Sequence, residues 1–126
     1  MRRRYLLILP LVVALAFAVA APASANRVPT KAEKRAIATV ANRWLSASVV
    51  FGGATARITD VRISTVKDPG VGFARANALA ANQGLPMLFV RFKPGGRWLV
   101  SDWGPASCQF VRRDVIRDLR RGGGWC

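Results

Sequence analysis

Met87-Leu88-Phe89-Val90-Arg91-Phe92-Lys93-Pro94-Gly95-Gly96-Arg97-Trp98-Leu99-Val100-Ser101-Asp102-Trp103 places two apolar runs either side of Lys93-Pro94-Gly95-Gly96. Pro and Gly at the centre of such a stretch read as a hairpin turn between two strands. A loop of about three residues sets Phe92 opposite Trp98 and Val90 opposite Val100, which gathers one continuous apolar face. Arg91, Lys93, Arg97 and Ser101 then fall on the other face.

Upstream, Thr30 and Glu33 have the spacing of a capping box, in which each side chain satisfies an orphan backbone donor of a helix start. Ile37, Val40, Ala41, Trp44, Leu45 and Ser48 follow at helical spacing, with Lys34, Arg35, Asn42 and Arg43 largely off that stripe. The pattern predicts an amphipathic helix of about four to five turns that stops before Gly52-Gly53. The period then shortens: Val61, Ile63 and Thr65 alternate with Asp60, Arg62 and Ser64, as in a half-buried strand. Asp68-Pro69-Gly70 is a turn, because Pro fixes φ and Gly permits positive φ. The alanine-rich stretch 71–79 reads as a strand, since it leaves a tight turn and Gly72 weakens a helix. Ala81-Asn82-Gln83-Gly84-Leu85-Pro86 reads as a loop.

Downstream, Gly104-Pro105 stops the hairpin. Val111, Val115 and Leu119, with Ile116 beside them, predict a final helix of about three turns, covered elsewhere by Arg112, Arg113, Arg117, Arg120 and Arg121. Asp114 and Asp118 precede Arg117 and Arg121 by three residues and are expected as surface pairs. Gly122-Gly123-Gly124 ends this helix and lets Trp125-Cys126 fold back. The element order is helix, strand, strand, hairpin, helix. One apolar helix stripe and one apolar sheet face must bury each other, so the expected class is α+β: a long N-terminal helix on a curved, roughly four-stranded antiparallel sheet, with a short C-terminal helix.

The first 25 residues read as an address. Arg2-Arg3-Arg4 is a basic start, Tyr5 to Ala20 is apolar apart from Pro10, and Ala23-Ser24-Ala25 is the small-x-small pattern of signal peptidase. Cleavage between Ala25 and Asn26 leaves residues 26–126 as one small domain, secreted or held in the cell envelope, with no membrane span of its own. Removing 25 of the 126 residues leaves 101, and the three arginines lost with them take the formal charge from +14 to +11. A domain of that size benefits from a covalent staple, and export permits one. Cys108 and Cys126 are the two cysteines, and their disulfide would stabilise by about 3 kcal/mol through loop closure.

The composition narrows the chemistry. With no histidine and two cysteines, the chain has no imidazole base for a Ser-His-Asp triad and no ligand set for a structural zinc, so neither metal nor cofactor is expected. The diglycine and triglycine runs lack the Lys-Ser/Thr ending of a phosphate loop. Asp102, between Trp98 and Trp103 in sequence, is the carboxylate best placed for a raised pKa. A small hydrolase would need it beside a second aspartate, Asp60 or Asp68. The arginines of the last helix, Arg112, Arg113, Arg117, Arg120 and Arg121, are the one basic cluster and the expected anion contact. The chain carries no specific nucleic-acid motif.

The helix-and-sheet order is similar to the cystatin-like and nuclear-transport-factor-2-like folds. Gly96-Arg97-Trp98-Leu99-Val100-Ser101-Asp102-Trp103-Gly104-Pro105-Ala106-Ser107-Cys108, with a short helix and terminal Cys after it, resembles the tail of small exported proteins of high-GC actinobacteria. That resemblance implies a fold and a compartment. The inhibitory Gln-x-Val-x-Gly of cystatins is missing, and the His-Asp pair of the transport-factor-like enzymes has no histidine here. The expected function is therefore a binding or envelope-associated domain without catalysis. Its partner is expected to be an anionic envelope polymer or another protein, the latter reached through the hairpin tip Pro94-Gly95-Gly96.

Overall fold

The computed structural model describes residues 26–53, 55–80 and 83–120. The expectations for residues 1–25, Arg121, the triglycine run and Cys126 lie outside the described residues. The architecture is α+β: helix α1 (Lys31–Ala47), then strands β1 (Arg57–Ile63), β2 (Val71–Ala80), β3 (Gln83–Phe92) and β4 (Trp98–Trp103), then helix α2 (Arg113–Arg120). The strands form one antiparallel meander in the order β1-β2-β3-β4.

The start of α1 is doubly secured. Glu33 N–H donates to Thr30 Oγ1 at 3.2 Å and Thr30 N–H to Glu33 Oε2 at 2.8 Å, while Arg27 grips both Glu33 oxygens at 2.8 and 2.7 Å. Those contacts, led by the Arg27 hydrogen bonds and opposed by partial burial, hold the Glu33 carboxyl at about 2. The helix ends at Ala47, and a single 3-10 turn, Val49–Phe51, leads to Gly52 at φ +59. Ile37, Ala41 and Leu45 are fully buried against Ala74, Ala76 and Ala78 of β2, Met87 and Phe89 of β3, and Trp98 of β4. The alanines explain why an alanine-rich stretch is a strand here. β2 is paired on both edges, and its small side chains leave the space under α1 to Ile37, Met87 and Phe89. The backbones nearest α1 are those of the edge strands β4 and β1.

The opposite face of the sheet is also covered. Leu88 of β3 packs with Val115 and Leu119 of α2, joined by Phe73, Val66 and Val111. The single pair of layers expected from sequence is thus corrected to a sheet with apolar clusters on both faces. Period-2 alternation makes this possible, since Met87 and Phe89 point one way and Leu88 the other.

Three local expectations are corrected as well. The hairpin pairs Arg91 with Trp98 and Phe89 with Val100, one residue away from the Phe92–Trp98 register. Lys93 at φ +68 and Gly95 at φ +79 lengthen the connection, which turns through Pro94-Gly95 with Gly96 N–H donating to Lys93 O at 3.0 Å. Gly96 has no alternative, because a Cβ there would collide with the Phe92 carbonyl. Arg91 therefore shares the face of Trp98 instead of opposing it, and Phe92 and Leu99 are exposed. Second, residues 83–86 are strand and not loop, with Ala80 paired to Gln83. Pro86 is tolerated inside β3 because its carbonyl, accepting from Gly104 N–H at 2.8 Å, faces the end of β4, so its nitrogen lies where no ladder bond is required. Third, residues 105–110 form a 3-10 segment, Pro105–Phe110, and the last helix starts only at Arg113; among the described residues it covers Arg113–Arg120.

Candidate functional site

One turn apart on α1, Arg35, Thr39 and Arg43 line the wall of an open groove between that helix and the start of β4. Two adjoining cavities of about 430 and 500 Å3 fill it, sharing Val40, Arg43, Arg97 and Trp98. Trp98 is buried as the floor, and the Arg91 guanidinium stacks on its ring at 4.7 Å from the centroid. Gly72 borders this stack: a Cβ there would make ordinary van der Waals contact with both the Arg91 and Trp98 side chains. Arg91 Nε is buried and makes no hydrogen bond among the described residues. At the far end of the groove Trp44 meets Phe51 and Trp103, each at 5.8 Å between ring centroids, and Trp103 is partly exposed. Beyond them Val49 and Val50 are exposed.

The electrostatics follow from where the acidic groups lie. Among the described residues Arg35, Arg43 and Arg97 form no ion pair. An apolar floor with guanidinium groups on its walls suits a ligand that carries anionic groups on a carbon-rich body, since such groups can be met bidentately at the rim.

The last helix is a less open anion site than its sequence implies. Arg112 donates to Asp68 Oδ2 at 2.8 Å and to both oxygens of Asp114. Asp114, followed by Asp68, raises the Arg112 pKa, and Arg112 in turn lowers that of Asp114. Arg113, Arg117 and Arg120 are exposed, and Arg121 lies outside the described residues.

Asp114 thus pairs with Arg112 and not with Arg117. Asp118 is no surface residue either: it is buried, and it is the most heavily hydrogen-bonded carboxylate of the described chain. Its oxygens accept from Asn26 N–H at 2.6 Å, Thr65 N–H at 2.6 Å, Ser64 Oγ at 2.7 Å and Thr65 Oγ1 at 3.2 Å. Burial pushes its pKa up, and the donors from Asn26, Ser64 and Thr65 outweigh that and hold it below the usual carboxylate value. The signal was present in the sequence, because Asp118 lies three residues beyond Val115 and beside Leu119, on the buried stripe.

Asp102 is the cross-strand partner of Leu88, whose side chain belongs to the α2-side cluster, whereas Trp98 and Trp103 contribute to the α1 side. Its carboxylate accepts from Trp103 N–H at 2.8 Å. Asp60 sits on β1, three strands away from Asp102 on β4 and hence about 14 Å across the sheet, and it pairs with buried Arg75 at 2.7 Å. A β-bulge produces that pair, since the register shifts between Thr59 and Arg62 and Asp60 takes φ +51. Asp68 is held by Arg112 at 2.8 Å. The fold therefore brings neither Asp60 nor Asp68 beside Asp102. Pro94 and Gly95 of the hairpin tip are exposed, and Cys108 is half-buried in the 3-10 segment. Among the described residues no group of His, Cys, Asp and Glu has the makings of a metal site, and no helix is long and apolar enough to cross a membrane.

No protein-family model, no curated protein and no solved structure matches this chain.

Proposed function

We propose that this chain is an exported binding domain of the cell envelope, without catalysis of its own, that takes an anionic envelope polymer into the groove between α1 and β4. The observation that carries the reading is the uncompensated set Arg35, Arg43 and Arg97 around the apolar floor of Val40 and Trp98. On this reading the apolar lining of the groove contacts the carbon backbone of the polymer and the arginines contact its anionic groups. The signal peptide ends at Ala25, the domain begins at Asn26, and the cystatin-like or transport-factor-like arrangement is a scaffold for the groove. A Cys108–Cys126 disulfide ties the C-terminus to the segment after β4; its support is the export reading together with the lack of a free cysteine among the described residues.

The test is a titration of the exported protein with a poly(glycerol phosphate) wall polymer, followed by tryptophan fluorescence at several salt concentrations. Three arginine contacts predict a log–log salt slope of about −2 for a flexible polyanion. Replacing Arg43 and Arg97 together with Ser should weaken binding at least tenfold, while replacing Arg113 and Arg117 should change it less than twofold. Binding lost at trivial salt, or a larger loss from the α2 pair, overturns the assignment.

A further inference from the structure

Asn26 is held at several points. Its backbone N–H donates to Asp118 Oδ1 at 2.6 Å, its side-chain amide donates to Asp118 O at 2.8 Å, and only 8% of the residue is exposed. The next residue is locked to the edge of the sheet, with Arg27 N–H donating to Ile63 O at 2.8 Å and Ile63 N–H to Arg27 O at 2.9 Å. Ser64 and Thr65, which directly follow Ile63, complete the ring of donors around the carboxylate. Among the described residues no lysine or arginine pairs with Asp118. Arg27, which follows Asn26, is turned to Glu33, and Arg117 and Arg120, which flank Asp118 in sequence, are exposed. Within the described residues this buried carboxylate is ringed by neutral donors and has no countercharge. Asn26 also stands at φ +30, on the unfavourable side for a residue other than Gly, and that torsion exists only while a residue precedes it.

We infer that cleavage between Ala25 and Asn26 completes this site: the new α-ammonium of Asn26 becomes the buried ion-pair partner of Asp118, joining the N-terminus, the end of β1 and α2. The inference rests on the export reading proposed above. The step is a hydrolysis by signal peptidase. Water adds across the Ala25–Asn26 amide, the C–N bond breaks, the carboxylate leaves with Ala25, and the amine takes up a proton. The backbone nitrogen already points at Asp118 Oδ1, so the charge arises where the carboxylate can receive it. The φ constraint at Asn26 disappears in the same event. The domain would thus reach its tightest state only after release from its signal, which couples processing to folding outside the cytoplasm.

The experiment expresses the full chain with export and isolates the product. Intact mass and N-terminal sequencing establish where it begins. The pH dependence of α-amine labelling by an N-hydroxysuccinimide ester is then followed on the folded protein and on the same protein in denaturant. The expected result is an N-terminus at Asn26 whose amine reacts at least tenfold more slowly at pH 8 when folded, with its titration shifted upward from the ordinary range of about 7.7–8.0. Asp118→Asn should bring the reactivity back to within about twofold of the denatured protein. The wild-type titration decides the matter even if that variant does not fold. An N-terminus other than Asn26 overturns the cleavage reading and the ion pair with it. A product beginning at Asn26 whose amine titrates ordinarily leaves the export reading standing and overturns the ion pair alone.

Discussion

Replacing Asp118 with Asn keeps the shape of the side chain and removes one acceptor and the negative charge. In the native arrangement Oδ1 receives Asn26 N–H and Oδ2 receives Thr65 N–H, each at 2.6 Å. The asparagine has one oxygen, so whichever way its amide turns, one of those buried N–H groups faces an NH2. The Ser64 hydroxyl, at 2.7 Å from Oδ2, can rotate to accept, but a backbone N–H has no such freedom. One stranded buried donor costs about 1–3 kcal/mol, and loss of charge assistance in the remaining bonds adds roughly 1 kcal/mol. Taking about 3 kcal/mol in total, and about 4–8 °C per kcal/mol for a domain near this size, the melting temperature should fall by roughly 15 °C. The sign of the pH dependence follows from the lowered native pKa. Stability from Asp118 is fully present above the unfolded value of 3.8 and is lost as pH falls through the still lower folded value. The gap between wild type and variant, followed by circular dichroism melts, should therefore be constant from about pH 5 to 7 and narrow below about pH 4. A fall of less than about 4 °C at pH 7, or a gap that widens in acid, would refute the view of Asp118 as the keystone of the second face.

Glu33→Gln should cost about 1–2 kcal/mol in urea denaturation, discounted because Arg27 is partly exposed. Its pKa of about 2, against 4.5 unfolded, places the acid loss of this contribution between those two values, and a variant whose stability matches wild type at pH 7 would count against the Arg27–Glu33 clasp. Cys108→Ser should lower stability by about 3 kcal/mol, and the wild-type mature chain should gain two mass units on reduction. An unchanged mass on reduction would remove the staple.

How much of this was legible in the sequence depended on which physical rule dominated each segment. The capping box and stripe of α1 rest on local hydrogen bonds and one apolar face, and both are found in place. The alanine strand β2 was readable from its turn, since Asp68 and Val71 close across Pro69-Gly70 at φ +84. The hairpin existed where expected but in a register shifted by one residue. Turn length is set by backbone torsions at Lys93 and Gly95 that composition does not specify. The same shift moved Arg91 onto the Trp98 face, so a residue expected on the opposite side of the hairpin stacks on the tryptophan that floors the groove. Asp118 was read as a charge in a charged helix, although its place on the stripe of Val115 and Leu119 pointed inward. What decides its environment is a partner 92 residues away, Asn26, and no local pattern encodes such a contact. The groove was illegible for the same reason: Arg35 and Arg43 meet Arg97 only after α1 is laid on β4.

The basic surplus takes on meaning from the placement of the few acidic residues and not from its size. Of the six carboxylates, Glu33 holds Arg27, Asp60 holds Arg75 and approaches Arg62, and Asp68 and Asp114 share Arg112. Asp118 is buried among neutral donors, and Asp102 pairs with Leu88 on the α2 side of the sheet. Among the described residues no acidic side chain remains to neutralise the groove between α1 and β4. A composition rich in arginine would by itself spread positive potential over every face, which governs solubility and weak attraction to any polyanion. Here the carboxylates cancel that potential along the β1–β2 edge and at the start of α2. They leave it standing beside the apolar floor of the groove, where Arg35, Arg43 and Arg97 are exposed. On the proposed reading, binding is confined to that groove, and a uniform loss of binding on neutralising any two surface arginines would show that composition alone was responsible.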